Sequence, residues 1–368
     1  MSRYSDELKE KMLNFNTEKK RRWAKERKPF SAFIELTPRC NMNCIHCYLQ
    51  DYHKNDEMSY EEITDILDIL SEKGILFITF SGGEIFARED FVKIYLYAKK
   101  KGFLIELFSN GLNITNEILL TLEKYPPMLL EISLYGACEE TYKKVTGISN
   151  AYDRVISNCK KLNEAGIRIS LKTPVLKETH LEIDQMRKIA EEMNVPFCVT
   201  YEIDVTIDND SKTKKHQLSV KDMLKYEFED YEVYSEKLNS TNSDVDNIYT
   251  FDNDSIFICN VAQSSFIIDF EGRMCPCMKF RHRGIKLDKN NFDRIWKNFG
   301  EISKVKASKN YKCAKCKARY YCDICAAERE FIYGSLEAVN EADCRYAEAR
   351  YAFYKEKWDI EKIMELVD

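Results

Sequence analysis

The chain has 368 residues, 44% hydrophobic and 32% charged, enough for a large domain plus an appendage around a buried core. Lys and Arg total 56 against 61 Asp and Glu, and a net charge of −5 gives no ground for expecting nucleic acid or an anionic membrane as partner. Residues 1–28 are rich in charge and hold no apolar stretch of a secretory signal, and no apolar run approaches a membrane span, so a cytoplasmic location among reducing thiols is expected.

Residues 1–29 read as a charged arm or helix. From Phe30 onward, apolar runs at 32–37, 75–80, 103–108, 129–134, 167–173 and 197–203 predict buried strands. Helical patterns at 59–73, 88–101, 115–124, 151–165 and 180–194 lie between them. Ser59 with Glu62 carries a capping-box signal, and Gly74, Gly102 and Gly166 stand where helices should stop. This alternation predicts an α/β fold of parallel strands with right-handed crossovers over 30–204. Six units are too few to close an eight-stranded barrel; a partial barrel and an open doubly wound sheet both fit. The alternation then stops. Residues 205–256 form an acidic, polar connector with a helical segment near 219–238, residues 257–346 crowd cysteines into a small metal-held domain, and 347–368 close the chain as a helix whose pattern begins near 341.

Fourteen cysteines against five histidines is the unusual count. After the first strand come Cys40, Cys44 and Cys47, spaced Cys-x3-Cys-x2-Cys at the strand's C-terminal end, where α/β folds place their active sites. Three thiolates suit a [4Fe–4S] cluster and leave one iron open; zinc with His46 or His53 as fourth ligand is the plainer alternative. Strand two ends in Gly82, Gly83 and Glu84, strand three in Ser109 and Asn110, strand four in Ser133. Small polar groups at the same end of successive strands are what a ligand pocket requires.

In this order the motifs resemble the radical S-adenosylmethionine (SAM) superfamily. The resemblance implies a partial (β/α)6 TIM-like barrel in which Cys40, Cys44 and Cys47 hold a [4Fe–4S] cluster and SAM chelates its fourth iron. It implies that Glu84 and the Gly82–Gly83 backbone bind the SAM amino group, that Ser109, Asn110 and Ser133 lie near its ribose or carboxylate, and that His46 lies near the adenine. Ile85 stands where the family often has Pro. Reductive cleavage of SAM would give a 5′-deoxyadenosyl radical that takes hydrogen from a substrate. No catalytic acid or base is nominated.

The later cysteines are Cys259, Cys275, Cys277, Cys313, Cys316, Cys322, Cys325 and Cys344, while Cys138, Cys159 and Cys198 read as core or surface thiols. From spacing alone, zinc and iron–sulfur stand nearly even. The pattern resembles the SPASM extension of radical SAM enzymes, which implies one or two auxiliary iron–sulfur clusters: a nearer one on Cys259, Cys277 and Cys325, and a farther one on Cys313, Cys316, Cys322 and Cys344. Cys322 and Cys325 are separated by two residues where the extension usually has three, and Cys275 is an extra thiol, a fourth ligand or a bystander. Enzymes with this extension mostly modify peptides, as ribosomal-peptide maturases do, which implies a precursor peptide or protein substrate, a thioether or carbon–carbon crosslink or related oxidation, and an external reductant such as flavodoxin or ferredoxin. A tetrapyrrole or other small-molecule substrate is the alternative. A sulfatase maturase is disfavoured because Met278 stands where those enzymes carry Asp, and a zinc-stapled binding protein is the remote reading. Residues 1–30 are too short for the winged-helix-like recognition module of many relatives, so a separate recognition protein or the barrel rim would bind the peptide.

Overall fold

Strand and helix alternate from Ser31 onward because the apolar runs can be covered only by packing helices across them. The structure, a computed structural model, describes residues 22–49, 57–229, 254–322 and 324–367. The strands are β1 (Ser31–Thr37), β2 (Phe77–Gly82), β3 (Leu104–Ser109), β4 (Leu129–Ser133), β5 (Ile169–Pro174) and β6 (Phe197–Thr200). Each pairs in parallel with the next, and Ala32, Phe80, Leu107, Ile132 and Leu171 are fully buried along them. The crossover helices are α1 (Tyr60–Glu72), α2 (Phe91–Lys100), α3 (Asn116–Lys124), α4 (Glu139–Thr146), α5 (Ala151–Glu164) and α6 (Ile183–Glu192). The capping box forms as expected, with Glu62 N–H donating to Ser59 and Ser59 N–H to Glu62. The six strands and their crossovers make the partial barrel.

Regular structure does not stop at residue 204. Strand β7 (Ser265–Ile268) lies parallel to β1 on its free side, and β8 (Arg273–Cys275) and β9 (Ile285–Lys286) continue antiparallel, giving one nine-stranded sheet in the order β6-β5-β4-β3-β2-β1-β7-β8-β9. Helices α7 (Phe292–Ser303), α8 (Ala326–Tyr333), α9 (Glu341–Tyr354) and α10 (Ile360–Val367) complete the C-terminal part. Between Lys312 and Tyr321 only short 3-10 turns carry the chain. The connector is helical at 220–229, and the rest of its expected helix lies outside the described residues.

Of the N-terminal arm, only the residues from Arg22 are described. They turn toward α7: Arg27 donates to the carbonyls of Ala262 and Trp296, and Trp296 Nε1 returns a hydrogen bond to Arg27 O at 2.9 Å. Among the described residues no helix is long and apolar enough to cross a membrane.

Candidate active site

The cysteine loop leaves β1 and is clamped from two sides. Asn43 N–H and Ile45 N–H donate to the carbonyls of Thr146 and Val145 at the end of α4, at 2.9 and 3.0 Å. On the other side Gly83 and Glu84 donate backbone N–H groups to Thr37 and Arg39 carbonyls, both at 2.8 Å. A Cβ at Gly83 would stand 2.3 Å from Arg39 O, and one at Gly82, whose φ is +133°, 2.3 Å from Thr37 O. These glycines are required because two backbones touch, the β2 turn and the cysteine loop.

Glu84 sits beneath the pocket. It is 1% exposed, and its carboxylate accepts from Phe86 N–H, Ser109 Oγ and Asn110 N–H at 2.7–2.9 Å. Burial raises its pKa against the pull of these three donors. The carboxylate thus ties the end of β2 to the end of β3. Held this way, Asn110 donates its side-chain amide to Asn41 at 2.7 Å and to Cys40 Sγ at 3.6 Å.

Cys40, Cys44, His46, Cys47, Gly82, Gly83, Ser109, Asn110 and Ser133 all line one cavity of about 240 Å³. Tyr48, Phe108, Glu131, Tyr135 and Lys172 line it as well. Sequence reasoning did not single out Glu131 and Lys172, which lie on neighbouring strands with Nζ and Oε1 3.3 Å apart. The period-two alternation of a strand was the available signal: Glu131 stands two residues before Ser133, and Lys172 two before Pro174. A larger cavity, about 650 Å³, lies on the outer face between α1 and residues 286–294 and is lined by no cysteine.

The donor set suits a cluster. Burial pushes the Cys40 thiol up to about 12 and raises Cys44 and Cys47 as well, so these sulfurs become thiolates only against a bound cation. Each also has a donor aimed at it: Met42 N–H for Cys40, Leu49 N–H for Cys47 at 3.4 Å, and the Tyr135 hydroxyl for Cys44. Hydrogen bonds to sulfur are a property of cluster ligands. For SAM, the cavity offers a polar atom left over, since His46 Nδ1 is buried with no hydrogen-bond partner, and burial pushes its imidazole down to about 4. The three cysteines would hold the cluster, and the remaining cavity would take SAM.

The C-terminal cysteines fall into two groups. Cys277 lies within electrostatic reach of Cys325 and Cys259, and Cys325 of Cys259. Backbone N–H groups of Val261, Lys279 with Phe280, and Glu328 point at Cys259, Cys277 and Cys325 respectively. Cys344 lies within reach of Cys313 and Cys316, while Tyr311, which donates to Cys313, also faces Cys322. Cys275 joins neither. It is fully buried, with its sulfur 3.9 Å from Asp269 Oδ2 and 3.6 Å from Arg273 O, and its neighbours pack so closely that a Cβ on Gly284 would stand 2.6 Å from it. Alternation along a continued strand would put Cys275 and Cys277 on one face, but β8 ends at Cys275 and the chain turns away through Pro276. Cys159 is buried, and Cys138 and Cys198 are exposed. Among the described residues no three His, Cys, Asp or Glu side chains are gathered as a single-ion site.

One buried ion pair joins the two halves. Glu35, fully buried on β1, accepts two hydrogen bonds from Arg281, one of them at 2.6 Å, and a third from the Tyr48 hydroxyl at 2.8 Å. The Arg281 guanidinium lies over the Tyr48 ring, 5.4 Å from its centroid. Tyr48 follows Cys47, so the first cysteine loop is fastened directly to the C-terminal part. A small cavity lined by Tyr48, Asp204, Met278, Lys279, Arg281 and Glu328 lies at this joint.

Comparison with known proteins agrees with this geometry. The family model described as the Radical SAM superfamily matches residues 34–190. Among curated proteins, the chain is 30% identical over 202 residues to an Fe-coproporphyrin III synthase of Methanosarcina barkeri, covering 54% of this chain and 50% of that one. It is 29% identical over 160 residues to the antilisterial bacteriocin subtilosin biosynthesis protein AlbA of Bacillus subtilis, covering 43% and 36%. The chain thus spans about half, or less, of the length of these relatives. Among solved structures, Streptococcus suis SuiB bound to S-adenosylmethionine superimposes with a TM-score of 0.70 at 17% identity, over 93% of this chain and 84% of that one. The clamped cysteine loop and its cavity therefore lie within residues 34–190, the part of the chain that matches the Radical SAM superfamily.

Proposed function

We propose that this chain is a radical SAM enzyme that modifies a ribosomally made peptide, by a thioether or carbon–carbon crosslink or a related oxidation. One observation carries the reading: three cysteine groups, Cys40/Cys44/Cys47, Cys259/Cys277/Cys325 and Cys313/Cys316/Cys322/Cys344, with Tyr48, next to Cys47, and Met278, next to Cys277, lining one small cavity. When bound, a [4Fe–4S] cluster and SAM supply the hydrogen-abstracting radical. The chain's own part is to hold the thiols, to seat SAM beside Ser109, Asn110 and Ser133, and to exclude water. Two further cysteine groups suit a reaction that must discard an electron after hydrogen removal. Relatives named for peptide maturation, AlbA and MftC, and a SuiB structure bound to its precursor peptide SuiA support a peptide as substrate. Flavodoxin or ferredoxin would supply the electron, with a separate recognition protein or the barrel rim binding the peptide in the cytoplasm.

A tetrapyrrole substrate is the second reading, favoured by the Fe-coproporphyrin III synthase likeness. The deciding test is 5′-deoxyadenosine release by anaerobically reconstituted, dithionite-reduced protein, with a precursor peptide encoded beside its gene or with an iron tetrapyrrole that is a precursor of iron-coproporphyrin. We expect release to rise, with loss of hydrogen from the peptide by mass spectrometry, in the first case. Stimulation by the tetrapyrrole alone would transfer the proposal to the second reading.

A further inference from the structure

Beside the nearer C-terminal cysteine group stands a cation with no part in SAM binding. Lys279 lies two residues beyond Cys277, its side chain three-quarters buried. Its Nζ pairs with Asp204, which follows β6 in the barrel half, and with Glu328 Oε1 of α8 at 3.2 Å. The backbone N–H of the same residue points at the Cys277 sulfur, and its ammonium acts electrostatically on Cys325. Glu328 is placed in the same double way, its N–H aimed at Cys325 while its carboxylate faces Lys279. Two of the three thiols are thus touched by the backbone of a charged residue whose side chain is pinned within the same cluster of charges.

We infer that Lys279 is a fixed counter-charge that sets the reduction potential of the cluster held by Cys259, Cys277 and Cys325. The inference rests on the iron–sulfur reading of these cysteines given under the proposed function. Its physics is elementary. An electron added to a cluster makes it more negative, a neighbouring ammonium stabilises that state and raises the potential, and neighbouring carboxylates lower it. Lys279 faces two carboxylates, so its removal leaves an uncompensated pair of negative charges beside Cys325. A cluster that must accept an electron from a substrate radical is served by the cation, and the carboxylates limit how far the potential rises.

The test compares full-length, anaerobically reconstituted parent protein with Lys279→Met, Lys279→Arg and Glu328→Gln, each with its iron counted and its auxiliary cluster titrated by EPR. Lys279→Met should lower the midpoint potential, Glu328→Gln should raise it, and Lys279→Arg should leave it near the parent value. A purely structural clasp between Asp204 and Glu328 would not give opposite signs. An unchanged potential in Lys279→Met at full iron content, or a shift of Glu328→Gln in the same direction as Lys279→Met, overturns the inference. If Lys279→Met does not fold, the sign of the Glu328→Gln shift alone decides. The cluster assignment fails separately, and takes the inference with it, if replacing Cys259 and Cys277 together leaves the iron count and the EPR signals unaltered.

Discussion

The two places where this chain gathers cysteines are built in different ways. At Cys40, Cys44 and Cys47 the loop is fastened by main-chain hydrogen bonds to α4 on one side and to the β2 turn on the other, beneath which Glu84 ties β2 to β3. The thiols stand on a scaffold complete without them. Around Cys313, Cys316 and Cys322 the chain runs through short 3-10 turns, and Cys259 and Cys316 are exposed. Here the chain is held by single side-chain contacts, such as Arg350 donating to Tyr321 O at 3.1 Å and the burial of Tyr311 and Ala318, rather than by main-chain clamps on both sides, so ligation has more to add. A barrel folds around its core and then binds metal, whereas a small cysteine-rich segment folds by binding it.

The sharpest way to break this comparison is to strip iron anaerobically with a chelator. We expect the barrel half to keep its slow hydrogen exchange while residues 305–325 become readily exchanged and protease-sensitive, as mass spectrometry would show. Equal protection of both regions without iron would remove the distinction. The next largest effect is expected at the joint. Arg281→Met leaves Glu35 buried without its partner and should cost about 3–5 kcal/mol, read by denaturant unfolding. A loss well below that would mean the halves are joined mainly by the β1–β7 pairing.

A smaller effect concerns pH in the iron-free protein. Burial holds His46 at about 4 against an ordinary value near 6.5, so between those values the unfolded chain binds a proton that the folded chain refuses. Stability should therefore fall as pH drops from about 6.5 to 4, and His46→Gln should lack that part of the fall. The raised thiols act with the opposite sense: above pH 9 the unfolded chain sheds protons the folded one retains, and stability should fall again as pH rises. The smallest effect belongs to the barrel alone. Ser59→Ala removes one side of the capping box and should cost about 1 kcal/mol by thermal unfolding, leaving iron content unchanged.

Much of the barrel could be read from residue order, because its signals are local. The apolar runs, the Ser59–Glu62 box and the glycines at 74, 102 and 166, all at positive φ, mark element after element. Helix α4 escaped because its residues, Glu139 to Thr146, are mostly polar, and its stop at Gly147 stands alone. The expected grouping of the C-terminal cysteines came from the resemblance to the SPASM extension, because spacing alone does not say which thiols share a metal. The extension of the sheet through β7 was hidden, because a run as short as Ser265–Ile268 names no partner. The Glu35–Arg281 pair was hidden for the same reason: a carboxylate within an apolar strand signals that a cation must come, without saying from where.

The placement of β7 beside β1 bears on how the protein is made. On the ribosome, β1 can pair with β2 as soon as the first crossover emerges, but its other edge has no partner until residue 268 has been synthesised. For that interval the nascent barrel presents an open strand edge next to unsatisfied thiols, the kind of surface that recruits other chains. Production in cells should therefore depend on slow growth, chaperones and iron supply together, because closure of the edge and filling of the later cysteines both wait for residues beyond 258.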